Sequence, residues 1–338
     1  MSFYKDYGYT KENGNKLSLL DTQKAIKLAK DIFERKLAYA LDLTRVSAPL
    51  FVYPDTGLND NLNGVERPVT FDILDTGKTA EIVHSLAKWK RMALGKYQFP
   101  IGKGLYTDMN AIRRDEEMDN LHSIYVDQWD WEKSISKEDR NLEYLKDTVR
   151  KIVHCLAKTK GHINRLFPSL KLKFCEEVFF ITTEELLKKY PNMSSKERED
   201  AICKEYKTVF LIGIGDKLSN GKVHDKRAPD YDDWKLNGDI LIWYEPLQRA
   251  VEISSMGIRV DKDALLYQLK EVNALDRINL PFHQSVINNT IPLSMGGGIG
   301  QSRICLVMLE KLHIGEVQAS IWKDEDILEL RKIGVELL

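Results

Sequence analysis

The chain has 338 residues, 43% of them hydrophobic and 30% charged, and its 50 Lys and Arg nearly balance 51 Asp and Glu. These ordinary globular values exclude a disordered or collagen-like chain. The balanced charge, without a block of Lys or Arg, argues against nucleic acid as a partner, because phosphate binding needs a basic stripe.

Membrane insertion and secretion are not expected either. No apolar run approaches the ~18 residues of a membrane span, and the first six residues, MSFYKD, lack the apolar core of a signal peptide. The four cysteines lie far apart without a Cys-x-x-Cys pair, a spacing that suits neither a disulfide scaffold nor a zinc site. We therefore expect a soluble cytoplasmic protein with free thiols.

In the first half of the chain, apolar residues three and four apart predict a helix over 21–43, with Asp21 available to cap its start. Residues 44–53 predict a strand, and Pro49 inside it favours an edge or interface, because proline cannot donate a ladder hydrogen bond. The other elements expected in this half are strands over 69–74, 106–112 and 123–129 and helices over 84–94, closed by Gly95, and over 138–160.

The second half predicts shorter elements around one long loop. They are strands over 178–181, 209–214, 239–244 and 250–254 and helices over 184–190, 196–206, 261–272 and 302–312. A Gly-, Asp- and Lys-rich stretch over 215–238 is typical of an exposed loop, and its length favours a functional role. Because some adjacent strands lack a crossover helix, we expect an α+β fold with a largely antiparallel β-sheet flanked by helices. No composition shift marks a linker, so one domain over 1–338 is expected.

Two charged clusters lie on predicted strands or at their ends. Arg113 follows the strand over 106–112, where an arginine can hold a phosphate through two parallel hydrogen bonds, although a solvated charged turn is the alternative. In the strand that follows, Gln128, Asp130 and Glu132 alternate with tryptophans and share one face. Buried carboxylates need partners, so this face suits the ammonium group of an amino acid, or else it is simply exposed.

Two further clusters lie later in the chain. Acids at Asp230, Asp232, Asp233, Asp239 and Glu252 have few nearby bases, and such a set can hold Mg²⁺ together with phosphate oxygens, unless it is only a hydrated loop. The run over 296–303, GGGIGQSR, lacks the Gly-Lys-Ser/Thr ending of a P-loop and does not open a βαβ unit. Its glycines allow close approach of backbone to a ligand, and a helix start with an arginine favours anions.

An arginine after a strand, acids on a later strand and a glycine-rich strand leading to a helix with an arginine resemble motifs 2 and 3 of class II aminoacyl-tRNA synthetases. The resemblance is closer to ammonia-dependent asparagine synthetases (aspartate–ammonia ligases) and runs from about residue 20 to residue 322. The strings that carry it, in order, are HSLAKWKR (84–91), HSIYVDQWDWE (122–132), RAPDYDDW (227–234), NGDI (237–240), SSMGIR (254–259) and GGGIGQSR (296–303).

The resemblance implies a class II synthetase-like catalytic core that binds ATP on an antiparallel sheet. It also implies a homodimer, with the helix over 21–43 and the Pro49 strand at the interface. The implied reaction joins L-aspartate to ammonia with MgATP through a β-aspartyl-AMP intermediate and releases AMP and pyrophosphate. Adenylation is needed because hydroxide is a poor leaving group from the β-carboxylate.

The resemblance also implies roles for individual residues. Asp60, in the string NDNLNG, is the acid near the reacting amide, where it can position ammonium or accept its proton. The implied catalytic residues are Asp60, Arg113 and Arg303; the aspartate-binding residues are Lys90, Gln128, Asp130 and Arg259; the nucleotide-binding residues are Arg113, Asp232, Asp239, Glu252, Gly298 and Arg303; and the Mg²⁺ ligands are Asp239 and Glu252.

Three other interpretations compete. A glutamine-dependent amidotransferase needs a nucleophile such as an N-terminal cysteine, and position 2 is Ser2. An aminoacyl-tRNA synthetase needs an anticodon-binding module and a basic surface. A catalytically inactive relative would have little use for the costly charges in the cleft. One departure from the family pattern is the short stretch 235–236 before Asn237, which leaves the shape of the loop over the nucleotide open.

Overall fold

The computed structural model describes residues 17–60, 62 and 66–338. The strands are β1 (Leu43–Arg45), β2 (Phe51–Val52), β3 (Thr70–Ile73), β4 (Lys78–Ile82), β5 (Gly104–Ile112), β6 (Tyr125–Ser134), β7 (Phe179–Thr182), β8 (Thr208–Ile212), β9 (Asp232–Tyr244), β10 (Arg249–Arg259) and β11 (Ser294–Gly300). The helices are α1 (Leu19–Leu41), α2 (Ala87–Lys96), α3 (Leu142–Leu166), α4 (Thr183–Lys189), α5 (Ser195–Tyr206), α6 (Lys262–Glu271), α7 (Pro281–Ile287), α8 (Gln301–Met308) and α9 (Asp324–Lys332).

An eight-stranded sheet forms the centre, in the order β1-β5-β6-β11-β10-β9-β8-β7. Its inner pairs are antiparallel, and the parallel pairs are the outermost ones, β1 with β5 and β7 with β8. A smaller sheet has the order β2-β4-β3. The predicted α+β fold with a largely antiparallel sheet flanked by helices is therefore confirmed.

The main hydrophobic core lies between the central sheet and the pair of long helices α1 and α3. The predicted alternation along β6 is confirmed, since Trp129 and Trp131 are buried in this core, and the Trp129 ring packs 5.0 Å from that of Phe33 on α1. Successive strand residues point to opposite faces. Gln128, Asp130 and Glu132 therefore point away from α1, toward the opposite face of the sheet, whereas Asp127 shares the tryptophan face and accepts from Lys30 of α1 at 3.2 Å.

Two predicted boundaries near the start of the chain were wrong. Helix α1 begins at Leu19, and its cap is Ser18, whose hydroxyl accepts a hydrogen bond from the Asp21 backbone at 3.1 Å. The predicted strand over 44–53 is two short strands, β1 and β2, with Pro49 between them. Both are edge strands of their sheets, so the position that Pro49 indicated is confirmed although the continuous strand is not.

Three later expectations also need correction. Gly95 does not end α2, because the helix continues to Lys96. The loop predicted over 215–238 ends at Asp232, where β9 begins. Residues 235–236 consequently lie inside a strand, and the Lys235 ammonium lies over the Tyr267 ring of α6. The short stretch before Asn237 therefore does not form a loop over the nucleotide.

The remaining global expectations concern thiols and membranes. All four cysteines fall in the described part of the chain and are free. Among the helices of that part, none has the length and apolar character needed to cross a bilayer.

Candidate active site

A cavity of about 560 Å³ opens over the face of the central sheet that α1 does not cover. Its floor comes from β6, β10 and β11, and its walls come from α2, the connection after β5 and the loop before β9. Nine of the residues implied by the family resemblance line it, namely Lys90, Arg113, Gln128, Asp130, Asp232, Glu252, Arg259, Gly298 and Arg303. Four clusters that are distant in sequence therefore meet at one place.

One end of the cavity, the inner end, is a buried network of five charged side chains: Lys90, Asp130, Glu132, Asp232 and Arg259. The Lys90 ammonium donates to the Asp130 carboxylate and to the carbonyl oxygens of Trp131, at 2.9 Å, and Gly297, at 3.2 Å. Burial lowers the pKa of Lys90, and Asp130 opposes that shift. Lys90 and Asp130, which the sequence predicted as separate substrate-binding residues, are therefore paired with each other in the structure.

Arg259 completes the inner end. It donates to both oxygens of Glu132, at 3.0 Å and 2.7 Å, and to Asp232. Burial alone would raise the pKa of Glu132, but Arg259 lowers it below its usual value. The network thus holds three carboxylates and two cations, and the buried Arg91 beside it adds a positive charge that acts on Glu132. Of the three carboxylates, Asp130 and Asp232 line the cavity, where they are complementary to the ammonium group of an amino acid.

Glycines of β11 form the floor between β6 and β10. A Cβ on Gly298 would lie less than 3.0 Å from the amide oxygen of Gln128, and one on Gly296 would lie as close to Glu132 and Arg259. The glycine run is therefore a central strand, in which side chains of the neighbouring strands occupy the space above the backbone. This agrees with the close approach that the sequence predicted, but the nearest groups are the protein's own.

The start of α8 does not offer the free anion site that the sequence suggested. The Asp127 carboxylate accepts hydrogen bonds from the Ser302 backbone, at 3.0 Å, and from its hydroxyl, at 2.8 Å. A carboxylate of the protein itself thus accepts the hydrogen bond that a free backbone N–H at the helix start would otherwise offer to a ligand. The helix contributes instead by carrying Arg303 to the cavity.

The other end of the cavity, the outer end, holds the two arginines of the resemblance in loose contacts. The Arg303 guanidinium donates to the Glu252 carbonyl oxygen at 3.0 Å and lies 3.8 Å from its carboxylate. The Arg113 guanidinium contacts the His84 carbonyl oxygen at 3.5 Å. Both arginines line the same cavity, as the sequence predicted, with room to bind an anionic ligand.

Asp239 and Glu252 lie on the paired strands β9 and β10, close enough for their charges to interact. Asp239 does not line the cavity, and its carboxylate accepts from Arg227 at 2.6 Å. Burial and the Glu252 charge raise the pKa of Asp239 to about 7, while Arg227 opposes the shift. No three His, Cys, Asp or Glu side chains of the described residues cluster as metal ligands. Two such carboxylates do fit Mg²⁺, which usually takes one or two and completes its shell with phosphates and water.

Asp60 lies behind the cavity wall. It is 2% exposed, and its carboxylate accepts from the Leu62 backbone at 2.9 Å and from the Ser85 hydroxyl at 3.2 Å. Burial raises its pKa, and the nearby Lys88 ammonium opposes that shift. Leu62 and Ser85 line the cavity, whereas Asp60 does not. Its carboxylate is thus separated from the cavity by a single layer of residues.

Sequence reasoning assigned no role to several charged groups of the site. Arg227 links Asp239 to the Ser255 hydroxyl, and Lys88 pairs with Asp230 at 3.5 Å behind Asp60. Both belong to strings that carried the family resemblance, so their presence there was a usable signal. Lys196 also lines the cavity, but it lies outside every such string.

Solved structures with this architecture include class II aminoacyl-tRNA synthetases. The asparaginyl-tRNA synthetase of Pyrococcus horikoshii, solved with asparaginyl-adenylate, has a TM-score of 0.61 at 14% identity over 90% of this chain and 70% of its own. That of Entamoeba histolytica has a TM-score of 0.61 at 17% identity, over 88% of this chain and 67% of its own. The fold is therefore the class II synthetase fold.

Sequence comparison then defines the family. The profile of the AsnA family, aspartate-ammonia ligase, matches residues 20–334. The aspartate–ammonia ligase of Clostridium tetani is 60% identical over 97% of this chain and 96% of its own length. That of Fusobacterium nucleatum is 60% identical over 95% and 98%, respectively. The chain belongs to the aspartate–ammonia ligase family and is a ligase of asparagine biosynthesis.

Proposed function

We propose that this protein makes L-asparagine from L-aspartate, ammonia and ATP through β-aspartyl-AMP, releasing AMP and pyrophosphate. The observation that carries the proposal is the shared cavity, which has buried carboxylates at its inner end and loosely held guanidinium groups at its outer end. An amino acid and a nucleotide fit these two ends. The relatives at 60% identity are named for the ligation of aspartate and ammonia.

Aspartate occupies the inner end in this proposal. Asp130 accepts from its α-ammonium group, and Lys90, Gln128 and Arg259 hold its carboxylates. Because Lys90 and Asp130 are paired without substrate, ligand groups replace a contact that already fixes both side chains. The buried network keeps these groups in place, so little ordering is needed upon binding.

ATP lies across the outer end and extends over Gly298 of the floor as far as Asp232 at the inner end. A β-carboxylate oxygen of aspartate attacks the α-phosphorus, and the bond from that phosphorus to the bridging oxygen of pyrophosphate breaks. Negative charge grows on the phosphate oxygens during this step. Arg113 at the α-phosphate and Arg303 at the outer phosphates stabilise that charge, which is the larger part of catalysis in such transfers.

Mg²⁺ is the ion that we propose for Asp239 and Glu252. When bound, it supplies positive charge to the phosphate oxygens. The two carboxylates hold the ion, and Arg227 orients Asp239 through the hydrogen bond at 2.6 Å. The raised pKa of Asp239 supports this assignment, because a cation between two carboxylates relieves their repulsion.

Asp60 acts in the second step of the proposed reaction. Ammonia is mostly ammonium at neutral pH, so a carboxylate one layer behind the cavity wall attracts the cation and favours the loss of its proton. The nitrogen then attacks the acyl carbon, and the bond from that carbon to the AMP oxygen breaks. Ser85, which donates to Asp60 and lines the cavity, orients the carboxylate for this role.

We also propose that the chain acts as a single catalytic domain over 1–338 and as a homodimer in the cytoplasm. Helix α1 supports a dimer interface, because Tyr39 is 92% exposed and Leu20 is 65% exposed on its surface. Large exposed apolar side chains are typical of surfaces that bind a partner. Equilibrium sedimentation of the whole protein, with Tyr39→Glu as the variant expected to shift it toward monomers, tests this part.

The reaction is tested by incubating the purified protein with aspartate, MgATP and ammonium and measuring asparagine, AMP and ADP. We expect equal amounts of asparagine and AMP. Without ammonium, labelled pyrophosphate should still enter ATP in the presence of aspartate. Formation of ADP in place of AMP would refute the adenylate mechanism, and an absolute need for glutamine would refute ammonia as the nitrogen donor.

A further inference from the structure

Helix α5 brings Lys196 to the outer end of the cavity. Lys196 is the second residue of this helix and lines the cavity together with Glu252 and Arg303. It follows β7 and α4 in the chain, and none of the strings that carried the family resemblance contains it. Its position therefore needs an explanation of its own.

The Lys196 ammonium is held by a chain of contacts. It lies 2.9 Å from a carboxylate oxygen of Glu199, one turn further along the helix. The other Glu199 oxygen lies 2.9 Å from Nε2 of His224, which is 4% exposed. Asp200 fixes the same helix to the sheet by accepting from the Ala250 backbone of β10 at 2.6 Å. Lys196 is thus positioned relative to the cavity floor.

Three cations gather around Glu252 at this end of the cavity, and the carboxylates of Glu199 and Asp225 partly offset the charge of Lys196. The Glu252 carboxylate is faced by positive charges from Arg303, Lys196 and Arg227, which together lower its pKa against the effect of burial. The Lys196 side chain is 65% exposed, so its ammonium is accessible from the cavity despite the contact with Glu199. These cations come from three separate elements, namely α8, α5 and the loop before β9.

We infer that Lys196 binds the β- and γ-phosphates of ATP and then the pyrophosphate that leaves. This inference rests on the proposed function and adds a residue to it. As the bond between the α-phosphorus and the bridging oxygen breaks, that oxygen becomes part of pyrophosphate and gains negative charge. The Lys196 ammonium stabilises this charge from α5, while Arg303 does so from α8. No proton transfer is involved.

The test is Lys196→Ala, compared with Lys196→Arg, which keeps the positive charge. We expect the alanine variant to raise the KM for MgATP and the inhibition constant of pyrophosphate by roughly tenfold each, the size of one charge-assisted hydrogen bond. AMP lacks the two outer phosphates, so its inhibition constant should not change, and neither should the KM for aspartate. The arginine variant should recover most of the loss.

Lys204→Ala is the matched control. Lys204 lies on the same helix and contacts the Trp243 ring at 5.7 Å, away from the cavity. It should leave all these constants unchanged. Thermal unfolding of both variants separates lost binding from lost folding, and Lys196→Gln provides a second neutral variant if the alanine variant is unstable.

Direct titration of Mg²⁺-pyrophosphate into the wild-type and variant proteins gives a readout that does not depend on turnover. Equal pyrophosphate affinity of the wild type and the neutral variants would refute the role of Lys196. So would a loss of AMP affinity as large as the loss of pyrophosphate affinity. A wild-type protein that binds pyrophosphate through Lys196 but makes no asparagine would refute the proposed function and leave this inference standing.

Discussion

The two ends of the cavity are built in opposite ways. At the inner end, Lys90, Glu132 and Arg259 are each 2% exposed or less and bind oppositely charged partners. At the outer end, Arg303 touches one backbone oxygen at 3.0 Å, and the Lys196 side chain is 65% exposed. The charged side chains of the inner end are paired with one another without a ligand, whereas those of the outer end find their main partners in a bound ligand.

The difference has an energetic reason. A small zwitterion has few groups to recognise, so its site must be fixed beforehand by buried charges that hold each other. A nucleotide triphosphate carries several negative charges, and solvated cations bind it while contributing little to the folded state. Stability is therefore expected to depend on the inner end and turnover on the outer end.

The largest expected effects come from removing one arginine at each end. Arg259→Met leaves Glu132 and Asp232 buried without their cation, which should cost about 3–5 kcal/mol of folding free energy. Arg303→Met should change stability by less than ~1 kcal/mol but lower asparagine synthesis roughly 10²- to 10³-fold. Denaturant unfolding and steady-state rates measure both. Equal destabilisation by the two substitutions would contradict the contrast.

Asp60→Asn should slow the second step of the reaction, amide formation, and leave the first step, adenylation, nearly unchanged. We expect aspartate-dependent exchange of pyrophosphate into ATP to stay within about threefold of wild type, since Asp60 does not line the cavity. Asparagine formation should fall roughly 10²-fold, the usual worth of a positioned general base. Hydroxylamine, largely unprotonated at neutral pH, should recover part of the rate. Loss of exchange together with synthesis would show that Asp60 is needed earlier.

A matched pair of glycine substitutions sharpens the contrast within β11. Gly296→Ala places a methyl group against Glu132 and Arg259, which are buried and cannot move, so we expect at least ~2 kcal/mol of destabilisation. Gly298→Ala meets the end of the Gln128 side chain, which can rotate away. That variant should fold normally and show a raised KM for aspartate, by roughly fivefold. The reverse ranking of stabilities would contradict this account of the floor.

The smallest expected effect is a pH dependence set by Asp239. Its pKa is raised from 3.8 to about 7, so between these values the folded protein binds a proton that the unfolded chain does not. Stability without Mg²⁺ should therefore fall as the pH rises from about 4 toward about 7. Over this pH interval, the unfolding midpoint of Asp239→Asn should therefore fall by about 2–5 °C less than that of the wild type. An unchanged slope would show that Asp239 is ionised throughout.

The sequence predicted the elements of the fold better than their ends. Alternation in β6 and three- and four-residue spacing in α1 identified both elements, because burial of one face sets those patterns. The end of α2 was misplaced because Gly95 lies inside the helix and does not take the positive φ of a glycine that ends one.

The site was predicted to a similar degree. The resemblance brought together residues such as Arg113 and Arg303, which the structure places in one cavity. Lys196 was missed because its recruitment depends on where α5 docks against β10, and no local pattern encodes that contact. The occupation of the α8 start by Asp127 also depends on pairing between β6 and β11, which a single sequence does not display.

The bare backbone of β11 has a consequence for how this cavity can change. Gly296 and Gly297 offer no side chains whose replacement would reshape the surface beneath the substrates, and a Cβ on either would lie less than 3.0 Å from buried side chains or from backbone of its neighbours. New selectivity must therefore arise mainly from the flanking strands β6 and β10 or from the walls. Laboratory evolution toward other acids should accumulate its successful changes on those elements, while Gly296 and Gly297 stay unchanged.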